Sequence, residues 1–159
     1  MNAFQNTLRW ALVATAAATL AACGSMGSRS SAGSMSSSAP ATTASFSATL
    51  SGSAEVPPNM ATGTGTLTAT LDKATNVLTW KLSYSGLTGP ATMAHFHGPA
   101  MPGANAGVAV PFTSPANPIE GSATLNSTQV ADLLAGRWYA NVHTVANPGG
   151  EIRGQLMAK

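Results

Sequence analysis

The run Thr62-Gly63-Thr64-Gly65-Thr66-Leu67-Thr68-Ala69-Thr70-Leu71 repeats with a period of two. Every even position is threonine. Leu67, Ala69 and Leu71 share the opposite face with Gly63 and Gly65. Successive side chains of a strand point to opposite faces, so this is a strand with one hydroxyl face and one core face. The pattern recurs on both sides. Phe46, Ala48 and Leu50 alternate with Ser47 and Thr49, and Leu78, Trp80, Leu82 and Tyr84 alternate with Thr79, Lys81 and Ser83. Asp72-Lys73-Ala74-Thr75-Asn76 joins the last two runs as a hairpin connection. Two more runs, Trp138 to Thr144 and Glu151 to Leu156, flank the turn Asn147-Pro148-Gly149-Gly150. One short helix is expected near residues 128–135: Ser127 caps it, Val130, Leu133 and Leu134 fall at helical spacing, and Gly136 stops it. Many short strands separated by turns predict an all-β domain over 45–159, a Greek-key β-sandwich or barrel. Trp80 and Trp138 fall on inward faces and are expected in its core.

Upstream of this domain the composition changes twice. Arg9 precedes a 13-residue, mostly apolar run from Trp10 to Ala22, too short to span a bilayer as a helix. It ends in Leu20-Ala21-Ala22-Cys23, which resembles a bacterial lipobox. The resemblance implies a lipoprotein signal peptide over 1–22 and a diacylglycerol on Cys23, the only cysteine of the chain. Two or three acyl chains hold a protein stably on a membrane. Gly24, rather than Asp, follows the cysteine; by similarity to sorted lipoproteins this places the protein in the cell envelope, at the outer membrane facing the periplasm. Residues 24–44 hold eight serines among glycine, alanine and threonine. Such a segment buries too little apolar surface to order itself, so 23–44 reads as a lipidated cysteine and a disordered tether.

Composition removes several classes of function. Charged residues are 8% of the chain, with Lys+Arg 7 against Asp+Glu 5. No basic cluster exists to neutralise phosphates, so no nucleic-acid partner is expected. One cysteine excludes an internal disulfide and a CxxC site. The five carboxylates are scattered, which disfavours a hard-cation site or a catalytic acid pair.

Three histidines remain. His95 and His97 flank Phe96 in Met93-Ala94-His95-Phe96-His97-Gly98. On a strand, i and i+2 share a face, about 6.5–7 Å apart, so both imidazoles are able to reach one ion while Phe96 points into the core. His143 shares a face with Tyr139 and Asn141; Glu151, Arg153 and Gln155 form the matching face of the next run. All of these are expected on the polar outside of the barrel. A Pro/Gly-rich loop, Gly98 to Pro118, follows the pair and is long enough to fold over that face. Imidazole-rich sites suit copper or zinc, and thioethers select Cu(I). Copper is therefore the expected cofactor, zinc less so, held by His95, His97 and His143, with Met93 or Met101 as completing ligands. Tyr139, Asn141, Glu151 and Arg153 are the candidates to orient the ring nitrogens; Glu151 and Arg153, two apart on one face, are also placed to pair with each other.

The blocks Ala94-His95-Phe96-His97-Gly98-Pro99-Ala100, Tyr139-Ala140-Asn141-Val142-His143-Thr144 and Asn147-Pro148-Gly149-Gly150-Glu151-Ile152-Arg153-Gly154-Gln155 resemble the chordin-domain (CHRD) family. Ala48-Thr49-Leu50-Ser51-Gly52 and Glu55-Val56-Pro57-Pro58 fit its first strand and turn, so the resemblance covers about 45–157. It implies an extracytoplasmic β-domain more firmly than an activity. Locally, His95-x-His97-Gly98 with the late His143 is also similar to the copper-site strands of Cu,Zn superoxide dismutase. The chain lacks that family's fourth histidine, zinc ligands and disulfide. Three readings follow. The first is copper buffering or delivery without turnover, alongside a copper-handling or envelope protein partner. The second is a metal-free envelope module that binds protein or polysaccharide. The third is a dismutase-like redox enzyme.

Overall fold

The computed structural model describes residues 42–159. The expected signal peptide, Cys23 and the tether up to residue 41 lie outside the described residues. Strand β1 (Thr43–Ser51) starts two residues before the boundary expected at 45, because Thr43 pairs with Asp72 and Ala44 with Leu71. A single 3-10 turn (Gly52–Ala54) follows, and then β2 (Thr64–Asp72) and β3 (Val77–Ser85). The chain continues through β4 (Ala91–His97), β5 (Val108–Pro111), β6 (Ile119–Thr124), α1 (Ser127–Leu134), β7 (Tyr139–Thr144), β8 (Ile152–Gln155) and β9 (Met157–Ala158). All pairings are antiparallel.

The strand order is β5-β4-β7-β8-β1-β2-β3-β6, with β9 also on β1. The sheet curls into a nearly closed, barrel-like form. Chain neighbours β5 and β6 end up at its two edges, and the β3–β4 and β6–β7 connections carry the chain between distant strands, as Greek-key winding requires. The threonine strand behaves as its period dictates. Thr64, Thr66, Thr68 and Thr70 are exposed, while Gly65, Leu67, Ala69 and Leu71 are buried. Trp80 and Trp138 are both in the core.

Three features differ from the sequence expectation. The helix cap is Asn126, not Ser127: its side chain accepts from Gln129 N while the Gln129 side chain accepts from the Asn126 backbone N–H. The 98–118 segment is not all loop, because β5 pairs with β4 inside it; residues 98–107 and 112–118 remain irregular. The outer face of β7 and β8 is not open: Glu151 and Arg153 are as inaccessible as core residues.

The core also fixes the histidines. Phe96 is fully buried, edge-on to Trp80 (centroids 5.2 Å apart) and Phe112 (4.8 Å) and tilted against Trp138 (5.7 Å). Burying a phenylalanine contributes about 2–3 kcal/mol, and that burial commits His95 and His97 to the opposite face. Gly98 then passes against Trp138. A Cβ there would lie 2.5 Å from the indole Cδ1, so no larger residue fits after His97.

Candidate metal centre

Two neighbouring strands build the centre. In the β4–β7 ladder Met93 is opposite His143, His95 opposite Asn141 and His97 opposite Tyr139. Directly opposed side chains sit with Cβ atoms about 4.5–5.5 Å apart. The ladder therefore brings His143 to a pair that lies nearly 50 residues earlier in the chain. One ring nitrogen from each of His95, His97 and His143 lies within 4.8 Å of the others. His95 Nδ1 and His143 Nε2 are 3.2 Å apart.

Backbone carbonyls orient two of the rings. His97 Nδ1–H donates to Ala106 O at 3.0 Å, and His143 Nδ1–H donates to Pro148 O at 3.0 Å. A neutral imidazole has one donor and one acceptor nitrogen, so these bonds leave Nε2 of both rings as acceptors, and His95 Nδ1–H is placed to donate to that of His143. Asn141 Oδ1 lies 3.0 Å from each of those Nε2 atoms. His97 Nε2, His143 Nε2 and Asn141 Oδ1 thus converge in a space that water barely reaches: His97 and His143 are both under 10% exposed. Such a cluster is able to offer imidazole lone pairs to a cation. Protons are poor candidates, because burial lowers the His95 pKa, helped by the neighbouring His143 and His97. Burial likewise lowers that of His143, against the Pro148 carbonyl, with His97 adding to the effect.

The covering segment 98–107 explains why the histidine face is closed. Arg153 donates through Nη1 to Asn105 Oδ1 (2.8 Å) and through Nη2 to Ala104 O (2.6 Å). Its guanidinium lies 3.4 Å over the Tyr139 ring. Tyr139 in turn stacks on His97, with centroids 4.8 Å apart and planes 2° from parallel. Arg153, Tyr139 and His97 form one column that clamps the segment whose Ala106 carbonyl orients His97.

Glu151 and Arg153 do not pair. Glu151 accepts from Thr88 N and Oγ1, Thr144 Oγ1 and Asn147 Nδ2. Burial would raise its pKa, but the bonds from Thr144, Thr88 and Asn147 outweigh it and hold the carboxyl below its ordinary value. Its place is to secure the 144–150 turn that presents the Pro148 carbonyl. Met93 is half-exposed beside His143 in the ladder, and Met101 is 60% exposed in the covering segment.

Glu55 has a position here that the sequence reading did not give it. Its carboxyl is buried next to Asn141: a Cβ on Gly150 would overlap Glu55 Oε1 and sit 2.9 Å from Asn141 Nδ2. Oε1 has no hydrogen-bond partner among the described residues. Burial pushes this carboxyl up to about 7, despite the opposing charge of Arg153 and a backbone bond from Val56. The available signal was a lone acid set in the apolar turn Ala54-Glu55-Val56-Pro57-Pro58.

A nearly closed antiparallel barrel with a covered histidine cluster on one face is the class of protein that the fold and site define. The family model of the CHRD domain matches residues 46–156. The chain belongs to the CHRD domain family, and that membership supports an extracellular or envelope module. No curated protein and no solved structure matches it.

Proposed function

We propose that the domain binds copper through His95, His97 and His143, and that it buffers or delivers the ion in the cell envelope. A lipid on Cys23 would hold it at the outer membrane, facing the periplasm, and the tether would let it meet a copper-handling or envelope protein. The carrying observation is the convergence of three imidazole nitrogens within 4.8 Å, two of them on rings whose Nδ1 is already bonded to a carbonyl. Bonds of about 2.0–2.1 Å to one ion place ligand nitrogens about 3.3–3.6 Å apart. The 3.2 Å pair is already within about 0.1 Å of that spacing, and a separation of 4.8 Å needs to close by about 1 Å. Met93 is the nearest thioether in the ladder and would favour Cu(I). Without carboxylates in the cluster, Ca²⁺ and Mg²⁺ are poor fits.

The test is titration of the full chain with Cu(II), and with Cu(I) under reducing conditions, against a competing chelator. Near-stoichiometric binding is expected, tighter than for zinc, and lost in His95→Ala and in His143→Ala. Equal weak binding by the unaltered protein and both variants would sink the proposal.

A further inference from the structure

Asn141 lies at the centre of the histidine cluster. In the β4–β7 ladder it is opposite His95, and on its own strand it is two residues from His143 and shares that face. It is 3% exposed. Its Oδ1 is 3.0 Å from His143 Nε2 and 3.0 Å from His97 Nε2. The contact with His97 lacks a hydrogen. His97 Nδ1–H donates to Ala106 O, so His97 Nε2 is an acceptor, and an amide oxygen is only an acceptor. Buried polar atoms are normally paired donor to acceptor, and an unmade pairing away from water is costly. Reversing the amide would offer an N–H to His97 Nε2, but the other end of the amide opposes it. A Cβ on Gly150 would sit 2.9 Å from Asn141 Nδ2 and would overlap Glu55 Oε1, so these two atoms flank one spot. Glu55 Oε1 has no donor of its own. Reversal would turn Oδ1 to that side, against an oxygen of the ionised carboxyl, and trade one contact between acceptors for another.

A metal ion among these atoms resolves the conflict, because it bonds to lone pairs on every side. The spacing fits. Ligand atoms on one ion lie about 3.3–3.6 Å apart for bonds of about 2.0–2.1 Å. Both Oδ1 contacts and the 3.2 Å contact of His95 Nδ1 with His143 Nε2 fall at most about 0.3 Å short of that range. We propose that Asn141 Oδ1 is itself a ligand of the centre, the fourth beside His95 Nδ1, His97 Nε2 and His143 Nε2. The inference rests on the copper reading and deepens it. It gives the fourth place to an oxygen rather than to Met93 or Met101, both of which are exposed. Three imidazole nitrogens and one amide oxygen suit Cu(II), for which mixed nitrogen and oxygen ligation is characteristic, better than Cu(I), which thioethers select. His95 carries its proton on Nε2 when Nδ1 binds the ion, so the ring stays neutral.

The test is pulsed EPR of the full chain, loaded with one equivalent of Cu(II) in D₂O at pH 8, where Glu55 is ionised. Deuterons of an equatorially bound water modulate the signal, so the spectrum reports whether water holds a place beside the imidazoles. The unaltered protein should show three imidazole nitrogens and no equatorial water, and the double variant Met93→Leu, Met101→Leu should show the same. In Asn141→Ala water takes the vacated place. The deuteron signal should appear there, and Cu(II) affinity should fall on the order of tenfold. A residue that merely oriented the rings would lower affinity on the same scale without admitting water, so the deuteron signal decides. Equatorial water in the unaltered protein overturns the proposal, and so does a spectrum altered by the methionine substitutions. An Asn141→Ala protein that binds Cu(II) without the deuteron signal also overturns it. The first two comparisons need no change at Asn141, so the result does not depend on that variant folding. Copper binding with equatorial water removes Asn141 alone from the ligand set; no Cu(II) binding by the unaltered protein removes the copper reading as well.

Discussion

Glu55→Gln should stabilise the metal-free domain in alkaline buffer and leave it unchanged in acid. The Glu55 carboxyl titrates near pH 7 in the fold and near its ordinary 4.5 when the chain is unfolded. Burial penalises the charged form, and the charged form is the one present at high pH. Below pH 4.5 the group is neutral in both states and costs nothing. As the pH rises from 4.5 through 7, the unfolded chain releases its proton first, and folded stability falls across that window. The full difference of about 2.5 units, at 1.36 kcal/mol each, sets a ceiling of about 3.4 kcal/mol. Relaxation and water penetration around the newly charged carboxyl reduce the cost, so the expected loss is about 2 kcal/mol. Glutamine has the same shape and no charge to desolvate. Urea unfolding of the unaltered protein and the variant, both in EDTA, gives the comparison; fluorescence reports it through buried Trp80 and Trp138. The two stabilities should coincide at pH 4 and diverge by about 2 kcal/mol, in the variant's favour, by pH 8. A difference that does not change with pH would refute the reasoning. So would a variant that is the less stable of the two at pH 8.

Two further predictions test the column and the sheet. Tyr139→Leu removes the ring between Arg153 and His97 and the hydroxyl that accepts from Ala106 N. It should loosen the covering segment, seen as faster amide exchange at Ala106, and should lower copper affinity on the order of tenfold, the scale on which supporting residues act at metal sites. Unchanged affinity alongside faster exchange would separate the column from the metal. In β8, Gly154→Ala would place a Cβ 2.5 Å from the Thr49 carbonyl oxygen of β1. Backbone cannot swing aside as a flexible side chain does, so a loss of about 2 kcal/mol or more in urea unfolding is expected.

The strands that the sequence displays best are those with large residues on one face. Leu67, Ala69 and Leu71 against threonines, and Leu78, Trp80 and Leu82 against polar neighbours, leave one assignment only. Strands β5 and β6 carry no such contrast. β5 is four residues long and ends in Pro111. In β6, Gly121 takes an inward position under the Trp80 indole, where a Cβ would sit 2.5 Å from the ring, so the core is filled from the partner strand. Small residues complementing a large cross-strand neighbour cannot be recognised one strand at a time.

The site divides in the same way. Phe96 as the core residue between two histidines is visible in three letters of sequence, and so is the shared face of Tyr139, Asn141 and His143. Alternation states which residues share a face; it does not state what lies on top of that face. Arg153 and Glu151 read as solvent-facing because their neighbours Ile152 and Gly154 face inward, and yet both are buried beneath chain that arrives from residues 88 and 98–107. Glu55 becomes notable only because the barrel closes it in beside Arg153 and Asn141.

The sequence by itself therefore determined the all-β class, the faces of the principal strands, the three histidines as the concentrated chemistry, and the CHRD resemblance that the family match bears out. These are properties of period-two geometry and of local motif. The tertiary structure decided that His143 meets His95 and His97, that carbonyls from Ala106 and Pro148 orient rings of that cluster, and that a Glu55 carboxyl oxygen without a partner is buried beside Asn141. Each of those depends on strand register and on which loop covers which face. For the histidine cluster and for Glu55 both are set by packing between segments that lie about 40 to 100 residues apart, whereas the Ala106 and Pro148 carbonyls come from loops nine and five residues from the rings they orient.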